Sequence, residues 1–131
     1  MPEVYYLDTS VAIHVLVGTP TAVAWFDARV DDGDRLVSSR LLGVELARFL
    51  HREGLDPTEA DFLHDSLHLL SVDDALLGEA ARVPAVLKTL DCLHLASADR
   101  VGRTMLTIAT HDMAMRAAAE SMGFSAVDPV A

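Results

Sequence analysis

Short β-prone runs alternate with longer segments of helical periodicity along the chain. The first run, at residues 4–7, predicts a strand, and apolar side chains at three- and four-residue spacing predict a helix over residues 41–53. The other predicted strands are residues 36–38, 70–72, 105–109 and 124–127, and the other predicted helices are residues 10–17, 21–30, 56–69, 73–82, 87–101 and 112–122. This alternation predicts an α/β fold in which helices cover both faces of a central parallel sheet.

The chain has the length of one domain, at 131 residues, and no linker rich in Pro, Gly or Ser divides it. We therefore expect a single domain over residues 1–131. The one cysteine, Cys92, excludes an intrachain disulfide. The sequence has no apolar run of about 18 residues and no basic, then apolar, secretory signal at its start. These features predict a cytoplasmic protein without a membrane segment.

Two acids directly follow predicted strands. Asp8 comes after the first strand, and Asp112 comes shortly after the fourth. Ligands of open α/β sheets bind beyond the carboxyl ends of the strands, so both acids are candidate site residues. The following helix is predicted to begin with Ser10 as its N-cap.

Two further acids interrupt apolar helix faces. Glu45 shares a face with Leu42, Leu46 and Phe49, and Asp91 lies on a face that is otherwise built from apolar residues and His94. An ionised carboxylate that faces a core costs several kcal/mol unless it is paired or bound to a metal. Glu45 and Asp91 are therefore also candidates for a functional site.

The charge balance limits the kinds of function that fit. With 20 acidic and 10 basic side chains the net charge is -10, which argues against holding nucleic acid by bulk positive charge. It does not exclude an enzyme that meets phosphates through metal ions. Converging carboxylates repel one another, and Mg²⁺ or Mn²⁺, which prefers oxygen ligands, removes that repulsion.

Each of the four acids also has an ordinary structural explanation. Asp8 and Asp112 can cap helices, Asp91 can be an acid in the first turn of a helix, and Glu45 can pair with an arginine. The coincidence of four such positions in one short chain favours a shared site, and both explanations stay open from the residues alone.

Four segments in order resemble the PIN-domain ribonucleases. They are LDTS at residues 7–10, the helix that contains Glu45, LDCLHLASA at residues 90–98, and THD at residues 110–112. As a free-standing domain of this length, the chain resembles the VapC toxins of toxin–antitoxin pairs. The resemblance implies a three-layer α/β/α fold and an endoribonuclease that depends on Mg²⁺ or Mn²⁺ and cleaves RNA by attack of a metal-activated water.

The resemblance also assigns roles and partners. It places the metal-binding and catalytic acids at Asp8, Glu45, Asp91 and Asp112. Ser10 and Thr110 fall where the family has hydroxyl groups, and we expect them to orient carboxylates or water. The resemblance further implies a homodimer and a cognate VapB-type antitoxin that holds the toxin inactive.

Three questions stay open at this level. His94 lies one turn from Asp91, and a hydrogen-bonded structural role is favoured over a place in the cleft. A catalytically silent PIN-like module that binds RNA or protein is the alternative function. The acidic balance leaves the RNA-binding surface undecided, and the few candidate cations near a cleft are Arg40, Arg48, Arg52 and Arg103.

Overall fold

A parallel sheet of five strands lies at the centre of the computed structural model, which describes residues 2–131. The strands are β1 (Val4–Leu7), β2 (Arg35–Ser39), β3 (His68–Leu70), β4 (Thr107–Ala109) and β5 (Ser125–Val127). Their order across the sheet is β3-β2-β1-β4-β5, and every neighbouring pair is parallel.

Helices cover both faces of this sheet. Within residues 2–131 they are α1 (Thr9–Leu16), α2 (Pro20–Asp31), α3 (Arg40–Arg52), α4 (Asp61–Ser66), α5 (Asp74–Ala81), α6 (Thr89–Val101) and α7 (Met113–Ser121), with a short 3-10 helix at Pro57–Ala60. The predicted three-layer α/β/α architecture is confirmed. No single helix of residues 2–131 is long and apolar enough to cross a bilayer, and only α1 with α2, across a bend of 102°, reach that length and hydropathy together.

Successive strand residues face opposite layers, as the pleat of a β-strand requires. Leu7 and Ala109 pack with α1 to α4 on one side of the sheet. Tyr6 and Ile108 pack with α6 and α7 on the other side. Helix α5 lies outside α6 and packs on it through Leu76 and Ala80. The central strands are therefore buried on both faces, which explains their unbroken apolar pattern.

Three local predictions were wrong. The helix expected over residues 56–69 is a 3-10 turn followed by the short α4, because Leu67 is already extended (φ -108°, ψ 141°). That extension brings β3 to His68–Leu70, two residues before the predicted strand. Ser10 is not an N-cap, since Asp8 caps α1 and Ser10 lies inside the helix.

The order of the strands reverses next to β1. The chain runs from β1 outward through β2 and β3, and then returns to the other side of β1 with β4. Leu7 and Ala109 are paired at the carboxyl ends of β1 and β4, and the Asp8 backbone N–H donates to the Ala109 carbonyl at 2.9 Å. Ligands of doubly wound sheets bind at such a switch point, so the fold brings the residues that follow both strands to this place.

Candidate active site

The carboxylate of Asp8 is fixed at the end of β1 by three donors. It is 5% exposed and accepts hydrogen bonds from the Thr9 backbone N–H at 2.9 Å, the Ser10 hydroxyl at 2.8 Å and the Thr110 hydroxyl at 2.8 Å. Donors of this kind hold a carboxylate in one orientation.

The loop after β4 is tied to the same carboxylate. The Asp112 backbone N–H donates to the Thr110 hydroxyl at 3.1 Å, and the His111 N–H donates to the Ser10 hydroxyl at 2.9 Å. Asp112 also caps α7, because its Oδ1 accepts hydrogen bonds from the backbone N–H groups of Ala114 and Met115, at 2.9 and 3.2 Å. The hydroxyls of Ser10 and Thr110 thus link the two loops.

Asp91 reaches the same region from the first turn of α6. Burial raises the pKa of Asp91 above its ordinary value, and the negative charges of Asp8 and Asp112 raise it further. Its carboxylate accepts no hydrogen bond from any residue of the described chain, 2–131. The carboxylates of Asp8 and Asp112 therefore lie close enough to repel that of Asp91.

Glu45 enters the site through a buried polar chain. Its Oε1 accepts hydrogen bonds from the Thr9 hydroxyl at 2.9 Å and from His94 Nε2 at 2.7 Å. The other ring nitrogen of His94, Nδ1, is hydrogen-bonded to the Tyr6 hydroxyl, 2.7 Å away. Burial raises the pKa of Tyr6, which keeps this phenol protonated as a donor.

The structural explanations for the acids are present together with this convergence. Asp8 and Asp112 cap helices, and Asp91 lies in a first turn. Glu45 pairs with His94 rather than with an arginine. Arg100 binds two acids of the α5 region and none of these four. Helix capping by Asp8 and Asp112 is compatible with the convergence of the acids, because the starts of the capped helices lie at the same edge of the sheet as the candidate site.

The sequence alone gives Thr9 and Tyr6 no functional role. Thr9 lies between Asp8 and Ser10 in the LDTS segment, and Tyr6 lies within the first predicted strand. For His94 the favoured structural role fits its burial (1% exposed), yet its partner is a candidate site residue. In the sequence, the one sign that His94 belongs near the site was its position one helical turn after Asp91.

The chemistry of the acids fits a hard divalent cation. Glu45 and Asp112 each use one oxygen in hydrogen bonds, which leaves Glu45 Oε2 and Asp112 Oδ2 free of hydrogen-bond partners within residues 2–131, and Asp91 keeps both oxygens free. Free carboxylate oxygens that repel one another are suitable ligands for Mg²⁺ or Mn²⁺. No three His, Cys, Asp or Glu side chains of the described residues are arranged around one position that would hold an ion.

Comparison with known proteins gives consistent matches over almost the whole chain. The sequence model of the PIN domain matches residues 5–121. Ribonuclease VapC47 of Mycobacterium tuberculosis (strain CDC 1551 / Oshkosh) is 30% identical over 130 residues, which cover 95% of this chain and 96% of that protein. Ribonuclease VapC46 of Mycobacterium tuberculosis (strain ATCC 25618 / H37Rv) is 34% identical over 128 residues, with the same coverage of both chains.

Solved structures share the fold at low sequence identity. A chain in the crystal structure of VapBC2 from Rickettsia felis bound to a promoter DNA fragment superposes with a TM-score of 0.75 and 10% identity, covering 95% of this chain and 98% of that chain. A chain in the structure of FitAB bound to the IR36 DNA fragment gives a TM-score of 0.68 and 17% identity, covering 97% of this chain and 96% of that one.

Proposed function

This chain belongs to the PIN-domain family of VapC ribonucleases, and from that membership we propose that it cuts RNA with the help of a divalent metal ion. In this proposal it is the toxin of a VapBC-type pair, with Mg²⁺ or Mn²⁺ as the cofactor and residues 1–131 as a single PIN-like domain.

The observation that carries the proposal is the approach of three carboxylates at one edge of the sheet. Asp8, Asp91 and Asp112 come from three different elements, and no Lys or Arg side chain of residues 2–131 forms an ion pair with any of them. Burial is the largest cause that raises the pKa of Asp91, and repulsion by the charges of Asp8 and Asp112 raises it further. Lys88 and His94 act against this rise, but neither forms an ion pair with Asp91 within residues 2–131. A site that gathers negative charge without an ion-paired protein cation is suited to a metal ion.

The roles of the individual side chains follow from their contacts. Asp8, Glu45, Asp91 and Asp112 would hold the ion: Glu45 through Oε2, Asp112 through Oδ2 and Asp91 through either oxygen, whereas both oxygens of Asp8 also accept hydrogen bonds. A bound Mg²⁺ or Mn²⁺ supplies Lewis-acid activation of a water nucleophile and neutralises charge at the scissile phosphate. Ser10 and Thr110 keep the Asp8 carboxylate in one orientation, and Thr9 and His94 do the same for Glu45.

The test replaces Asp8 by Asn. Asn is as good an N-cap as Asp, so Asp8→Asn keeps the start of α1 while it removes the charge. We expect RNA cleavage to fall by at least about 100-fold while the circular dichroism spectrum stays that of the wild type. Excess EDTA should have the same effect on the wild type, and added Mn²⁺ should restore cleavage. Full activity of Asp8→Asn, or of the wild type in EDTA, would contradict the proposal.

The ends of the products provide an independent check of the chemistry. Attack by water, with the 3′-oxygen as leaving group, gives a 5′-phosphate and a 3′-hydroxyl. A 2′,3′-cyclic phosphate would show that the RNA 2′-hydroxyl is the nucleophile and would exclude the proposed mechanism.

We further propose a VapB-type antitoxin as the partner, a homodimer as the assembly and the cytoplasm, where RNA is present, as the location. The names of the curated relatives and the likeness to chains of the VapBC2 and FitAB complexes support the antitoxin. A small reading frame immediately upstream, whose product inhibits the purified ribonuclease, is the expected observation. Light scattering should give twice the chain mass of 14.1 kDa.

The alternative is a catalytically silent module that binds RNA or protein. The observation in its favour is that no three ligating side chains of residues 2–131 are already arranged around one position. Binding of RNA that is unaffected by metal, without any turnover, would support this alternative over the nuclease.

A further inference from the structure

The few cations that make no ion pair are informative in a chain with a net charge of -10. Arg100, Arg103 and Arg116 are held by acids on their own or neighbouring helices. Arg103 therefore leaves the set of cations that sequence analysis offered for RNA binding. The exposed basic residues that form no ion pair within residues 2–131 are Arg35, Arg40, Arg48, Arg82 and Lys88.

Two of these cations lie on the exposed side of α3, in one row with a third. Arg40, Val44, Arg48 and Arg52 follow one another in steps of four residues and are all exposed. Side chains four apart are neighbours on a helix, and the row extends over about 18 Å at 1.5 Å per residue. Arg52 has only a 3.9 Å contact to the adjacent, exposed Glu53. We call Arg40, Arg48 and Arg52 the arginine row.

Two adjoining grooves follow the arginine row. The outer groove, about 520 Å³, is lined by Arg40, Arg48 and His64 among others. The inner groove, about 340 Å³, is lined by Arg48, Arg52 and the candidate site residue Glu45. Val44 and Arg48 line both grooves, so the two adjoin, and Glu45 lies in the wall of the inner one.

We propose that the arginine row binds the phosphates of a single-stranded RNA segment and leads it along α3 into the candidate active site. This inference rests on the proposed ribonuclease function and adds the surface that the acidic charge balance left undecided. Each guanidinium offers a planar pair of donors that matches a phosphate. Phe49 and Leu90 line the inner groove and give apolar contact surface for an unstacked base.

RNA is favoured over an acidic protein as the occupant because the arginine row lies beside the candidate active site. Glu45 is the only acid among the residues that line the two grooves of the described chain, and it is hydrogen-bonded to Thr9, the neighbour of Asp8. A polyanion held by the row is therefore delivered to the carboxylates that would cut it. Binding of an acidic polypeptide is an outcome that the experiment below separates.

The test measures the affinity of a short, fluorescein-labelled RNA of mixed sequence by anisotropy, in EDTA and at several NaCl concentrations. Three proteins are compared: the wild type, the triple variant R40Q/R48Q/R52Q, and the control R35Q/R82Q. The control removes exposed, unpaired arginines outside both grooves, and Arg35 begins β2 at the amino end of the sheet. Circular dichroism melting shows whether each variant is folded, and R48Q alone replaces the triple variant if that variant unfolds.

We expect the triple variant to bind RNA at least about 10-fold more weakly than the wild type, and the slope of log K against log salt to fall by about 0.7 per arginine. The control should keep the wild-type affinity. Unchanged binding by the folded variant, or an equal loss in the control, would overturn the inference while the ribonuclease function stands. Polyglutamate that competes for the row as well as RNA does would also overturn it. A wild type that neither binds nor cuts RNA would refute the proposed function itself.

Discussion

The negative charge of the Asp91 carboxylate has opposite effects on the stability of the fold and on the proposed metal binding. The carboxylate lies half-buried at the start of α6, within electrostatic reach of Asp8 and Asp112, and burial together with these charges raises its pKa. In the absence of a metal ion, the ionised side chain therefore destabilises the folded protein at neutral pH. The same charge is what the proposed metal ion would need.

Asp91→Asn should therefore stabilise the metal-free fold while it removes activity. We expect the melting temperature in EDTA to rise by about 2–4 °C, a value reduced because the side chain is partly exposed to solvent. RNA cleavage should fall by at least about 100-fold. Asp65→Asn, which removes an exposed charge from α4, serves as the matched control and should change neither quantity. A lower melting temperature for Asp91→Asn would show that this carboxylate has a stabilising partner.

His94 is a positioning residue for Glu45. We expect His94→Leu to lower cleavage by about 10- to 100-fold, because Oε1 of Glu45 then loses one of its two donors. His94→Gln can still present an N–H group and should retain more activity. The concentration of Mn²⁺ for half-maximal cleavage should rise in His94→Leu, whereas the KM for RNA should not. Equal loss of activity in both variants, without a change in the Mn²⁺ requirement, would indicate a packing role only.

At the scale of elements, an arginine holds α5 against α6. Arg100 of α6 donates to Asp73, the N-cap of α5, at 2.9 Å and to both carboxylate oxygens of Glu79 within α5. The hydrogen bonds from Arg100 are the main cause that lowers the pKa of both acids. Carboxylates whose pKa is lowered by folding stabilise the fold above their ordinary pKa, and this contribution is lost as the pH falls through the lowered values.

Arg100→Gln should therefore lower the melting temperature at about pH 7, and the difference from the wild type should close when the pH falls well below about 4, where the acids are protonated. Arg116→Gln, which breaks an ion pair inside the single helix α7, is the control and should have a smaller effect. Thermal melts at a series of pH values measure both variants. A difference that persists unchanged at low pH would show that packing of the Arg100 side chain, and not its charge, joins the helices.

The helices were predicted well from the sequence wherever the periodic pattern of apolar residues extended over many residues. The helices α3 and α6 were predicted nearly at their observed bounds, because each has periodicity over a dozen residues and a glycine just after its carboxyl end. The chain between α3 and β3 was predicted less well. Pairing of β2 with His68–Leu70 decides where that helix must end, and this pairing is not visible in the local sequence.

At the scale of the whole molecule, the net charge of -10 means that repulsion among the acidic side chains destabilises the compact fold. We expect the melting temperature of the metal-free protein to rise by a few degrees between about 0.05 and 0.5 M NaCl, because salt screens this repulsion. Over the same range the affinity for RNA should fall, since phosphate contacts release counterions. Scanning fluorimetry measures the first effect and anisotropy the second. A melting temperature that falls with salt would mean that ion pairs such as those of Arg100 outweigh the repulsion.

The sequence by itself determined the α/β class, the family to which the chain belongs and the identity of the four candidate acids. Periodicity, strand ends and the cost of buried charge are local properties, and they can be recognised without coordinates. Only the tertiary structure decided that Thr9 and His94 hold Glu45, that Tyr6 holds His94, and that Arg40 and Arg48 form no ion pair within residues 2–131 whereas Arg103 is paired. Hydrogen bonds and ion pairs act over a few ångströms, so their partners are fixed by how distant segments pack and not by their spacing along the chain.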